Sequence, residues 1–446
     1  MRIGVLGGLV LCMMAVLAAT VLAATEPHAA TQSMPESKQS TTAQLPAITP
    51  ASPRPEDISA ATDAWLATVP PEARARSDAY FEGGYWLQLW DFLIGAGLAL
   101  LFLVTRLSAG IRNLAERIAR FKPVQTFIYF VIYLGLTLVI TFPMTLYEGF
   151  FRERKYGLTN LTLGGWFQET LTQDVLVIVL GGLAVAALFG IVRKLRQSWW
   201  IWGAVFTILF TAFVSLIAPI WIAPLFNNYK KLEDPKIRDP ILSLARANGV
   251  PASDVYWFDA SKQSKRVSAN VSGFLGTERI SLNDNLLNRC TLPEILAVLG
   301  HEIGHYAMNH IYKALLFEGV LIVLFFAWLR WALDRSIMRW GSKWGLRGAG
   351  DVAVLPLAAL LAAIFLFVLT PITNGYTRAE EIEADIYGLN AARQPDAEAH
   401  VDLMLGEYRK LSPSPLEEFL FFDHPSGRNR IYMAMRWKAE HRDDCR

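Results

Sequence analysis

Six stretches of this chain are each long and apolar enough to cross a lipid bilayer: approximately 86–105, 124–147, 175–192, 199–225, 312–333 and 352–372. A hydrocarbon core about 30 Å thick is crossed by about 20 helical residues. Inside it every backbone N–H and C=O must find its partner within the segment, so six such runs predict a mainly α, polytopic membrane protein. Composition points the same way, because 53% hydrophobic and 18% charged residues is too apolar for an ordinary soluble protein. Asp91 in the first run, and Lys313 and Glu318 in the fifth, are costly in lipid; they are expected near an interface or facing a wet cavity.

The first 24 residues are a separate matter. Arg2 precedes an apolar run from Ile3 to Leu22, then Ala23 and Ala24. This reads as a secretory signal peptide, and it is also long enough to stay as a seventh, anchoring helix. Residues 25–55, rich in Ala, Thr, Ser, Pro and Gln, read as a flexible linker.

Charge gives the orientation. Arg106, Arg112, Arg117, Arg120 and Lys122 lie between spans 1 and 2, and Arg193, Lys194 and Arg196 between spans 3 and 4. Arg330, Arg335, Arg339, Lys343 and Arg347 lie around the connection between spans 5 and 6. All three groups fall on one side, which the positive-inside rule makes cytoplasmic. The opposing Arg152, Arg154 and Lys155 are offset by Glu148 and Glu153. Expected is therefore a multi-pass protein of the bacterial inner membrane with residues 226–310 on the periplasmic side. Topology accounts for the basic residues, so a formal net charge of +2 gives no reason to expect nucleic acid. Cys290 and Cys445 would both lie where a disulfide is permitted, and nothing in the sequence shows that they meet.

The chemistry sits in His301-Glu302-Ile303-Gly304-His305. Positions i and i+4 share a helical face, so two imidazoles can reach one metal ion. Glu302 is about 100° round from His301 and about 60° from His305, in reach of a water at that metal. Two nitrogen ligands and one carboxylate base make the zinc-peptidase arrangement. With 7 histidines in 446 residues, two chance histidines at this spacing on a polar turn are a poor alternative. Thr291, Pro293 and Glu294 supply a helix start, and Gly304 lets a backbone or substrate approach closely. His310, about 140° from His305 and 180° from His301, is a poor third ligand and reads better as a packing or capping residue.

Such a site needs a third protein ligand and an open position for water. Glu380, Glu381 and Glu383 compete, after the last span. Glu381 and Asp385 are i and i+4, so the economical reading gives zinc to Glu381 and a ligand histidine's second nitrogen to Asp385. Alternatively, all of these acids form a solvated face.

At this point the chain resembles the integral-membrane zinc metallopeptidases of the CAAX prenyl protease 1 type, as a bacterial-looking member. The resemblance rests on His301–His305 followed, after two spans, by Arg378, Glu381, Ala384 and Asp385. Further matches are residues 150–160, Ile222–Asn227 with Leu232-Glu233-Asp234, Lys265-Arg266, Arg279-Ile280, and His424-Pro425 with Arg430, so that it runs from roughly 85 to 440. It implies one zinc per chain on His301, His305 and Glu381, Glu302 as base, His424 stabilising the oxyanion and Arg430 supporting the site. It also implies a ring of membrane helices round a water-filled chamber, which would house Asp91 and Glu318. Where the family places an Asn that contacts the substrate backbone, this chain has Ser268, with Asn270 two positions on; either is a candidate for that contact.

The expected organisation is then 1–24 signal peptide or anchor, 25–84 extracytoplasmic linker and N-terminal segment, and 85–225 spans 1–4. Residues 226–310 form the catalytic domain with the zinc helix, 311–372 spans 5–6, and 373–446 a C-terminal catalytic segment. The expected partners are a peptide or protein substrate, aligned on a strand edge near 268–272, and membrane lipid. A heat-shock-type membrane quality-control peptidase is one rival. A membrane chaperone with structural zinc is another, and it would want four protein ligands, often Cys, which this chain does not space suitably.

Overall fold

The computed structural model describes residue 54 and residues 57–272 and 278–442. The signal peptide or anchor, most of the linker, Gly273 and Cys445 lie outside the described residues. After a short helix α1 (Ile58–Ala67), six helices among the described residues are long and apolar enough to cross a membrane. They are α2 (Pro71–Val104), α4 (Lys122–Tyr156), α5 (Leu163–Lys194), α6 (Trp199–Leu225), α10 (His310–Trp344) and a last one within Val352–Ala392, whose α-helical part is α11 (Leu355–Ala392). An amphipathic helix α3 (Leu107–Ile118) links the first two.

The helices outrun the apolar stretches that announce them. The first starts at Pro71, a residue suited to a first helical turn, and so begins about 22 Å before the expected start of the span. Water-facing polar residues do not end a helix; only the bilayer sets the length of its apolar part.

Neighbour contacts run in a closed order: α2 to α3, α3 to α4, α4 to α5, α5 to α6, α6 to α10, α10 to α11, and α11 back to α2. One apolar core joins them, and it draws on particular halves. Leu98, Phe102 and Leu103 come from the end of α2, Tyr129–Leu134 from the start of α4, and Leu188 and Phe189 from the end of α5. Trp199 starts α6, Phe325–Leu333 lie in the second half of α10, and Leu355–Ala362 start α11. All of these halves adjoin the basic connections. The ring is therefore packed shut at its basic end, and no such core joins its other half among the described residues.

At that other end sits a four-stranded sheet in the order β1 (Tyr229–Lys231), β2 (Val255–Phe258), β4 (Arg279–Asn283), β3 (Ala269–Ser272). β2 and β4 are parallel and the other pairs antiparallel, so β3 is an edge strand. Helix α7 (Pro235–Ala247) and helix α9 (Leu292–Ala307) pack on it through Ile241, Ile280, Leu282, Leu299 and Ile303. Helix α8 (Asp284–Arg289) joins β4 to α9. A third core joins α1 to the C-terminal helices α12 (Pro395–Leu405) and α14 (Gly427–Glu440) through Trp65, Leu66, Leu403, Ile431 and Trp437. Helix α13 (Pro415–Phe421) lies between those two in sequence.

Candidate active site

The site begins with two helices whose backbones touch. A Cβ on Gly304 would lie 3.0 Å from the Ala384 backbone, and one on Gly388 2.7 Å from the His301 amide nitrogen. The close approach that Gly304 permits is thus to another helix. It lays Glu381 and Asp385 of α11 against His301 and His305 of α9. The start of α9 is fixed by the expected capping box between Thr291 and Glu294.

The donor atoms converge. His301 Nε2 and His305 Nε2 lie 3.0 Å apart, and Glu381 approaches each at 3.4 Å. Ligands tetrahedral about an ion at about 2.0–2.1 Å would stand about 3.3 Å from one another. These three residues form a metal-capable group, all donor atoms within 4.8 Å of one another. Glu381 Oε2 is buried with no hydrogen-bond partner, an orphan that a cation would satisfy. The residues therefore fit a divalent metal ion. Desolvation pushes the Glu302 carboxyl above its ordinary range, with His301 and His305 pulling the other way.

Behind the donors, His301 Nδ1 meets Asp385 Oδ1 at 2.7 Å. Arg430 clamps Asp385 with both Nε, at 2.9 Å, and Nη2, and Nε also reaches Asp402 at 3.3 Å. Arg430, Asp385 and Asp402 are all buried. Burial drives the Asp402 carboxyl well above the usual range despite Arg430. His424 points Nε2 at Glu381 Oε1, 3.4 Å away, while its Nδ1 is 2.9 Å from Asp423. Among the described residues the metal-capable group has three members and His424 is not one of them, one fewer than the four ligands of a closed structural site. Arg378 bonds the carbonyls of Glu418 and Phe422, anchoring the segment that carries His424.

Other candidates fall differently. Asn270 sits in edge strand β3 opposite Ser281. Ser268 precedes the strand, its amide held by Asn283 Oδ1 at 3.1 Å. Glu380 accepts from Tyr376 at 2.7 Å. His310 lies outside the metal-capable group, as expected, but its neighbours were not legible in the sequence. It is buried, as a packing residue would be, but its Nδ1 lies 2.8 Å from His305 Nδ1 and its Nε2 3.1 Å from Glu383. The angular argument does not reach these contacts because α9 ends at Ala307 and Asn309, at φ 57°, turns the chain left-handed before α10.

Comparison with known proteins decides the family. The profile of peptidase family M48 matches residues 231–438, and that of the CAAX prenyl protease N-terminal region, described as five membrane helices, matches 59–228. The uncharacterized metalloprotease YhfN of Bacillus subtilis is 30% identical over 353 residues, covering 78% of this chain and 82% of that one. The chain belongs to peptidase family M48. CAAX prenyl protease 1 of Saccharomyces cerevisiae is 28% identical over 336 residues, 70% of this chain and 73% of the relative. The crystal structure of S. mikatae Ste24p matches with a TM-score of 0.71 at 23% identity, over 86% of this chain and 100% of that one, a likeness of fold. This M48 protein is thus a multi-pass membrane metallopeptidase. Its kinship extends further back than the motifs reach, to α1, and in the range matched by the N-terminal profile four helices are long and apolar enough to cross a membrane.

Proposed function

We propose that this metallopeptidase binds one zinc ion on His301, His305 and Glu381 and cleaves extended or membrane-associated polypeptides. The observation that carries the reading is the two-histidine, one-carboxylate group with Glu302 beside it. When bound, zinc would supply a Lewis acid able to lower the pKa of a water to about 7. Glu302 takes the proton of the attacking water and delivers it to the leaving amine. Asp423 fixes His424 through Nδ1, so that Nε2 supports the carbonyl oxygen as negative charge develops. Edge strand β3, with Asn270 and preceded by Ser268, offers main-chain pairing that aligns a substrate with a free backbone. Asp385, held by Arg430, orients His301.

With its Nε2 on the metal, His305 presents Nδ1–H as a donor. His310 then accepts at Nδ1 and donates from Nε2 to Glu383, which also takes Lys313 at 2.7 Å. His310→Ala is expected to weaken metal retention against a chelator by about 10- to 100-fold. Glu381→Ala should lose metal more completely than Glu380→Ala or Glu383→Ala. Metal content after dialysis with competing chelator checks both, and wild-type retention in Glu381→Ala would remove that residue from the ligand set.

The active site is assigned to the periplasmic face of a bacterial inner membrane, on the strength of the basic connections at the opposite end. Alkaline phosphatase fused after residue 230 is expected to be active, and fused after residue 115 inactive. The reverse pattern overturns the assignment.

A strand-edge site asks for free backbone and not for a lipid group, so peptides identical except for a farnesyl group should be cleaved with similar kcat/KM. The second reading, CAAX prenyl endopeptidase proper, is favoured by the likeness to the S. cerevisiae protein of that name. A large preference of the purified enzyme for the farnesylated peptide would establish it.

A further inference from the structure

At the basic end of the ring, remote in the chain from every metal-site residue, an open pocket of ≈ 430 Å³ lies between the start of α6 and the later turns of α10. Its walls include Trp200, Arg330, Trp331, Asp334, Arg335 and Met338. Trp200 is the second residue of its helix, and Trp331 stands near the end of the fifth apolar stretch. Tryptophans at such positions mark the headgroup level of a bilayer.

Among the described residues several basic side chains at this end make no ion pair, Arg193 for one, and Arg330 and Arg335 are the two that share this pocket. Elsewhere at this end, Arg112 pairs with Asp351 at 2.5 Å and Arg347 with Glu116 at 2.9 Å. Among the described residues, Arg330 and Arg335 have no carboxylate within ion-pair distance, although Asp334 shares their pocket. Arg330 instead bonds the Gln197 carbonyl, and Arg335 lies over the Trp331 ring at 5.2 Å. Both guanidiniums are thus held in place with most of their donors uncommitted. Along the helical face that runs from Trp331 into the bilayer, at i−7 and i−11, Leu324 and Val320 are exposed.

We propose that this pocket binds an anionic phospholipid. Its phosphate lies between Arg330 and Arg335, a headgroup hydroxyl donates to Asp334, and an acyl chain follows Leu324 and Val320. Two guanidiniums and one carboxylate leave the pocket with a net charge of +1, complementary to a lipid of net charge −1 and not to a zwitterionic one. Arginine suits phosphate because its planar fork gives paired charge-assisted hydrogen bonds. Basic pockets between membrane helices are a recurring place for such headgroups.

The test uses the full chain, purified in detergent, delipidated and titrated with phosphatidylglycerol or phosphatidylcholine, with bound lipid counted by native mass spectrometry. The wild type should retain phosphatidylglycerol in preference to phosphatidylcholine. Arg330→Gln/Arg335→Gln should weaken that retention on the order of tenfold, with peptide turnover and elution volume unchanged. Arg335→Gln alone, at an exposed position, should give an intermediate loss and guards against a folding defect in the double variant. Equal retention of the two lipids by the wild type, or wild-type retention by the double variant, overturns the proposal. Displacement of the lipid by inorganic phosphate at matched concentration overturns it too, because the pocket would then be a free-anion site.

Discussion

Glu302→Gln is expected to lower peptide hydrolysis by on the order of 10²- to 10⁴-fold while leaving the bound metal in place. The two effects separate because Glu302 stands outside the group that could hold the ion, whereas its neighbour His301 stands inside it. Glutamine keeps the size and polarity of the side chain and removes only its ability to take a proton. The water would then have to lose its proton to solvent during attack, and the leaving amine would go without a positioned donor. Turnover of a fluorogenic peptide and zinc content of the same preparation check the pair of outcomes. Activity within a few-fold of wild type would move the base elsewhere. Loss of zinc together with activity would place Glu302 among the ligands.

The apolar runs located the six long apolar helices among the described residues, because hydrocarbon thickness is a constraint written directly into composition. Their ends were not legible. Helix α11 continues from the sixth span through Pro371 to Ala392, so Glu381 and Asp385 ride on the membrane helix itself. Helical phase did select Glu381 and Asp385, and both are buried where their neighbours Glu380 and Glu383 are not. The same phase argument did not reach the neighbours of His310, because it presumed a helix that Asn309 breaks. A signal for the helix contact was present in two small-residue pairs at four-residue spacing, Gly300 with Gly304 and Ala384 with Gly388, which let two backbones meet. The role of α1 in covering α12 and α14 had no motif at all; it follows from Trp65 and Leu66 needing a partner surface.

Arg430→Ala should be the most destabilising substitution outside the ligand set. Arg430 is buried with Asp385 and Asp402, and it is the cation that both of them reach. Removing one partner of a buried ion pair costs about 3–5 kcal/mol, because the remaining charge stays out of water. Here the abandoned group is the one that orients His301, so metal affinity should also fall, by about 10- to 100-fold. The two losses share one cause, which a second substitution can expose. In Arg430→Ala/Asp385→Asn no buried carboxylate is stranded at position 385, and Asn can still accept from His301 Nδ1. The double variant should therefore unfold at a higher temperature than Arg430→Ala and recover part of its zinc affinity, a non-additive result for residues in one network. Thermal unfolding and chelator competition on the wild type, Arg430→Ala, Asp385→Asn and the double variant measure both. If the double variant is no more stable than Arg430→Ala, the arginine acts through something other than Asp385, and Asp402 becomes the partner whose loss is felt.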